Sequence, residues 1–136
     1  MSITPIVQVI ENGPRNYVVR LACELTGGDT ESAVKKITLP MTAAYNLGPV
    51  TSLALEGFQG STTNIAVRLL WEGTPNSTAW EWPADFAGRT TFRDAGPIKD
   101  NATLATGSVL LSTDNYTDPA LDGRYDLTLW FKKRYN

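Results

Sequence analysis

The chain reads as an all-β protein: a single-domain antiparallel β-sandwich, jelly-roll-like or Ig-like, with about eight short strands. Three observations lead there. Apolar and polar residues alternate at period two in most of the apolar stretches. Clusters of Gly, Pro, Asn and Asp separate those stretches, and no segment sustains the 3.6-residue period of an amphipathic helix. Each sheet can bury one face only, so two must pack across a dry core about 10 Å thick.

The first strand spans residues 6–10, Ile6-Val7-Gln8-Val9-Ile10, and ends at the turn signal Asn12-Gly13-Pro14. Tyr17 to Leu25 follows. Its odd positions, Tyr17, Val19, Leu21, Cys23 and Leu25, share one face, and Arg20 and Glu24 take the other, so the odd face looks inward. After the Gly27-Gly28-Asp29 loop, Ala33 to Leu39 forms a third strand that stops at Pro40, and Met41 to Pro49 is irregular. Val50 to Leu55 is the fourth strand, closed by a loop built from Gly57, Gly60 and Ser61-Thr62-Thr63-Asn64. Ile65 to Trp71 alternates again before the turn cluster Glu72-Gly73-Thr74-Pro75-Asn76. Thr78 to Phe92 is less regular, with a short strand near residues 90–93, and a polar loop runs from Asp94 to Asn101. Gly107 to Thr113 and Tyr125 to Lys132 are the last two strands, the second alternating most clearly.

The 136 residues suit one domain, spanning 1–136, with enough chain for a core that needs no staples. Apolar residues make up 42% and charged residues 19%, which excludes a disordered chain. Twelve basic against 14 acidic side chains argue against nucleic-acid binding driven by phosphate neutralisation. No apolar run reaches the roughly 18 residues of a membrane helix, so no membrane partner is expected. There is no histidine, which removes Ser-His-Asp and Cys-His catalysis and His-ligated zinc. Cys23 is the one cysteine, so no intrachain disulfide can form, and on the core face its thiol acts as a small hydrophobe. The N-terminus lacks a secretory pattern, so the Asn-x-Ser/Thr matches at Asn76, Asn101 and Asn115 are read as turn residues of a chain made in a cytosol.

Few groupings suggest chemistry, and no cofactor or catalytic residue is assigned. Glu72, Glu81 and Asp85 stand near tryptophans and could form a glycosidase carboxylate pair. Trp80 and Trp82 lie two apart, so an extended backbone projects both from one face, as a core filler, a protein contact or a platform for sugar stacking. The run Asp114 to Gly123 is acidic but lacks EF-hand spacing, and hairpin-loop duty explains it better than an ion site. Lys132, Lys133 and Arg134 are a candidate charged contact for an acidic partner surface. Trp130 falls on the polar register of the last strand, between Thr128 and Lys132, so either a loop covers it or another chain meets it.

Three segments carry a resemblance: Val7-Gln8-Val9-Ile10-Glu11-Asn12-Gly13-Pro14-Arg15-Asn16-Tyr17-Val18-Val19-Arg20-Leu21, Val67-Arg68-Leu69-Leu70-Trp71-Glu72, and Tyr125-Asp126-Leu127-Thr128-Leu129-Trp130-Phe131-Lys132-Lys133. With the strand spacing, they resemble small virion proteins of tailed bacteriophages, especially capsid decoration (cement) proteins. The resemblance implies a non-enzymatic homo-oligomer, expected to be a trimer, made in the host bacterial cytoplasm and bound to the major capsid protein on the virion's capsid surface. It transfers no functional residue. A head-to-tail connector or a tail or fibre domain belongs to the same class. The rival from another class is a carbohydrate-binding module using Trp80, Trp82 and Trp130.

Overall fold

Period-two alternation produces two antiparallel sheets in the computed structural model, which describes residues 5–39, 50–92 and 96–135. Among these residues the strands are β1 (Ile6–Asn12), β2 (Asn16–Leu25), β3 (Val34–Ile37), β4 (Val50–Thr63) and β5 (Ala66–Trp71). β6 (Ser77–Trp82), β7 (Ala87–Thr91), β8 (Ile98–Lys99), β9 (Val109–Asp114) and β10 (Gly123–Tyr135) complete the set. The larger sheet runs β1-β2-β10-β4-β7, with β8 also paired to β4, and the smaller runs β3-β9-β5-β6. The two layers form a β-sandwich. Met41 to Pro49 lies outside the described residues.

The expected inward face of β2 is confirmed. Tyr17, Val19, Leu21, Cys23 and Leu25 all belong to the core, which Leu127, Leu129 and Phe131 extend from β10. From the opposite sheet come Val67, Leu69 and Trp71 of β5 with Val109 and Leu111 of β9. Each large apolar side chain buried this way adds about 1.5–3 kcal/mol of transfer free energy, which offsets the entropy of ordering the strands. Burial also pushes the Cys23 thiol's pKa up, as suits a core residue.

The chief correction concerns β4, which does not stop at Leu55 but continues through the expected loop to Thr63. Gly57 and Gly60 are strand residues at places of close backbone approach. A Cβ on Gly60, whose φ is +147°, would lie 2.0 Å from the Asp126 carbonyl oxygen, and one on Gly57 would lie 2.7 Å from that of Thr90. Glycine here admits neighbouring strands instead of turning the chain. The pairing also shifts between Trp130↔Gly57 and Phe131↔Leu55, leaving Glu56 as the extra residue of a bulge. That insertion lets both Leu55 and Phe58 face the core, although strict alternation would put them on opposite faces.

Thr78 to Phe92 holds two strands, β6 and β7; β7 includes Thr90 and Thr91 of the expected short strand but begins earlier, at Ala87, and Arg93 lies outside the described residues. Its aromatics gather around Phe58: Trp82 edge-on at 5.1 Å, Trp80 at 5.4 Å, Phe86 at 5.9 Å and Phe92 at 6.1 Å between ring centroids. Thr62 ties the intervening turn to β4, donating from Oγ1 to the Pro83 carbonyl at 2.6 Å and accepting from the Phe86 N–H at 3.0 Å. The third strand is shorter than expected and the last longer, and the expected polar loop contains β8.

Candidate functional site

The outward face of the larger sheet is ordered in cross-strand rows. One row crosses five of the sheet's six strands: Thr91 (β7), Gly57 (β4), Trp130 (β10), Val18 (β2) and Glu11 (β1). The next row contains Arg89, Gln59, Thr128, Arg20 and Gln8 in the same strand order. Trp130 therefore faces outward, as its polar register predicts, and the strand order places it at the centre of this face. Gly57 offers no side chain beside it, so a groove of about 270 Å³ opens there, lined also by Asn16, Glu56 and Arg89. Val18, only 6% exposed, forms its apolar flank.

The Arg89 guanidinium stands 5.3 Å from the centre of the Trp130 ring. A cation over an indole gains about 0.5–1 kcal/mol at an exposed site, which is enough to bias the ring's orientation without sealing it. Glu11 and Glu56 bring negative charge to the same groove. Farther along the face, Arg20 holds Asp126 in a two-point pair, with Nε–Oδ1 at 2.9 Å and Nη2–Oδ2 at 2.7 Å. That hydrogen bond raises the Arg20 pKa further. The face is thus polar and charged, with one half-buried indole at its centre.

The other tryptophans are placed differently. Trp82 is 1% exposed and its ring lies in the core, so it presents no stacking surface. Trp80 is half-buried against Phe58 and Phe92. They share one face, as expected, and it turns inward toward aromatic neighbours.

The basic triplet does not form one patch. Lys132 is exposed, but Lys133 is buried and donates to Asn12 Oδ1, while its N–H donates to the Arg15 carbonyl at 2.7 Å. Desolvation lowers the Lys133 pKa. Arg134 is half-buried, and its carbonyl accepts from Thr51 Oγ1. Period-two geometry separates these consecutive charges because β10 extends to Tyr135 instead of ending in a solvated tail.

The three carboxylates considered for catalysis each have a separate structural partner. Glu72 accepts from Thr106 Oγ1 at 2.6 Å, which holds its pKa below the usual range, and lies 3.3 Å from Lys35. Glu81 pairs with Arg68 at 3.0 Å across β5 and β6, and Asp85 accepts the Asn64 N–H at 2.9 Å. In the acidic β9–β10 connection, Asp118 accepts from the Ala120 N–H and Asp122 from the Gly27 N–H. Asn64 organises that loop, donating to the carbonyls of Asp118, Leu121 and Asp122 and accepting the Asp118 N–H.

Sequence reading singles out Trp130 but misses Arg89, Glu56 and Glu11. No local signal could have found them, because they reach the groove only through the pairing of β7, β4 and β1 with their neighbours. No protein-family model, curated protein or solved structure matches the chain.

Proposed function

We propose that this chain is a non-enzymatic structural protein of a tailed-bacteriophage particle, a capsid decoration protein that binds the major capsid protein and bridges neighbouring subunits. The observation that carries the reading is the outer face centred on Trp130. Protein contacts concentrate their free energy in a central aromatic or Arg anchor ringed by polar groups. Trp130, Arg89 and the row residues around them have that arrangement. The likeness of three strand segments to cement proteins supplies the particle class. Repeated binding at symmetric junctions would multiply a modest contact through effective concentration.

The test is co-sedimentation with DNA-free capsids of the particle, using the wild-type chain and Trp130→Ala. An anchor worth about 2 kcal/mol or more predicts roughly thirty-fold weaker capsid binding for the variant, with unchanged β-sheet circular dichroism. Equal binding by both proteins, or none by the wild type, overturns the proposal. The second reading, a carbohydrate module, rests on the same groove, where Asn16, Glu11 and Glu56 flank an indole. It predicts saturable quenching of tryptophan fluorescence by host glycans, lost in Trp130→Ala.

A further inference from the structure

Among the described residues β1 pairs with β2 alone, so its other edge presents backbone N–H and C=O groups. Four of its apolar side chains are exposed: Ile6 by 47%, Val7 by 38%, Val9 by 44% and Ile10 by 54%. They stand on both faces. Ile6 lies in the outer row of Ala22, while Val7 and Val9 pair with the core residues Leu21 and Val19. Natural edge strands are usually blunted by charge, proline or a bulge; Ile6 to Val9 contains none of these, and the bulge of β1 lies beyond them at Ile10, where pairing with β2 shifts between Val9↔Val19 and Glu11↔Val18.

The order of these residues identifies the partner. Ile6-Val7-Gln8-Val9-Ile10 reads the same in both directions. A two-fold contact requires a surface complementary to itself, with residue i meeting j and j meeting i. We propose that two copies of this chain pair through antiparallel β1 strands about a two-fold axis at Gln8. Val7 then faces Val9 of the other copy and Gln8 faces Gln8, while Ile6 lies beside the bulge at Ile10. The valine pairs extend the dry layer across the junction, and no charge opposes a like charge within the five residues. Because the row from Glu11 through Val18 to Trp130 begins on β1, the dimer carries a Trp130 groove on either side of the axis, on one continuous surface. Such a contact closes at two copies, so a three-fold assembly would need a different surface.

Sedimentation equilibrium and cysteine cross-linking test this without any capsid, so its failure is distinct from failure of the decoration reading. The wild-type chain is expected at twice its 14.8 kDa mass. Directly opposed Cβ atoms lie about 4.5–5.5 Å apart, close to disulfide range, so Gln8→Cys should oxidise readily to a covalent dimer. Ile6→Cys alone should not, because its two copies lie about 14 Å apart along the strands, whereas Val7→Cys with Val9→Cys should. Gln8→Glu separates assembly from folding. Within one copy the new carboxylate meets Arg20, whose Nη1 already lies 3.5 Å from Gln8 Oε1. Across the axis it meets its own twin, which should weaken dimerisation by up to about five-fold. A monomer at every concentration, a trimer, equal cross-linking of Ile6→Cys and Gln8→Cys, or a dimer indifferent to Gln8→Glu would each overturn the proposal.

Discussion

Replacing Lys36 by methionine should destabilise the protein far more than loss of one lysine ordinarily does. Lys36 Nζ lies 2.6 Å from Glu31 Oε2, and the two side chains are 2% and 7% exposed. The Tyr125 hydroxyl donates to the other carboxylate oxygen at 2.5 Å. Glu31 cannot swing out to water easily, because its N–H donates to Thr113 Oγ1 at 2.8 Å and its carbonyl accepts the Thr113 N–H at 2.9 Å. Lys36→Met therefore strands a buried carboxylate beside one phenol. Removing one partner of such a pair costs about 3–5 kcal/mol. For a chain of this size that corresponds to roughly 10–20 °C in Tm. Lys36→Met combined with Glu31→Gln removes both charges and should recover most of the loss. Urea unfolding, followed by tryptophan fluorescence and far-ultraviolet circular dichroism, gives the free energies by linear extrapolation. A single-variant cost below about 1 kcal/mol, or a double-variant cost equal to the sum of the two singles, would refute the coupling argument.

Two further outcomes follow from buried polar groups. Desolvation, then the hydrogen bond to Glu31, raises the Tyr125 pKa far above the ordinary phenolic value. The unfolded chain therefore loses this proton first, near pH 10, and stability present below that pH falls as pH rises, by about 1.4 kcal/mol per pH unit for this one group. Tyr125→Phe should flatten the alkaline limb of a stability–pH curve by that amount, and an unchanged slope would contradict the burial of the phenol. Asn64→Asp keeps a residue type that tolerates the +64° φ at this position but cannot donate to the three loop carbonyls. It should cost about 1–3 kcal/mol and speed amide exchange around residues 117–123, whereas unaltered exchange there would show that the loop holds itself.

The places where structure and sequence reading diverge share a cause. Gly57 and Gly60 look like loop residues when read locally, because glycine is the commonest way to turn a chain. Here they serve β10 and β7, whose contacting residues Asp126 and Thr90 lie 66 and 33 residues further along the chain. The basic triplet fails as a patch for a related reason. Its meaning depends on whether the strand continues, and the continuation is secured by pairing with residues 50–54 of β4. Trp130 was legible because period-two alternation is a property of the strand itself. Its groove was not, because four other strands supply the walls.

Composition and alternation by themselves determine that this chain builds two sheets, which face of β2 and β10 is apolar, and that Cys23 is buried among core residues. Those features follow from side-chain chemistry repeated every second residue, and they need no knowledge of neighbours. Strand order, the bulge at Glu56 that turns both Leu55 and Phe58 inward, the buried Glu31–Lys36–Tyr125 contact and the row centred on Trp130 are decided only by tertiary structure. Each depends on which distant segments pair and in what register, and backbone hydrogen bonds that are alike in every strand cannot encode that choice locally.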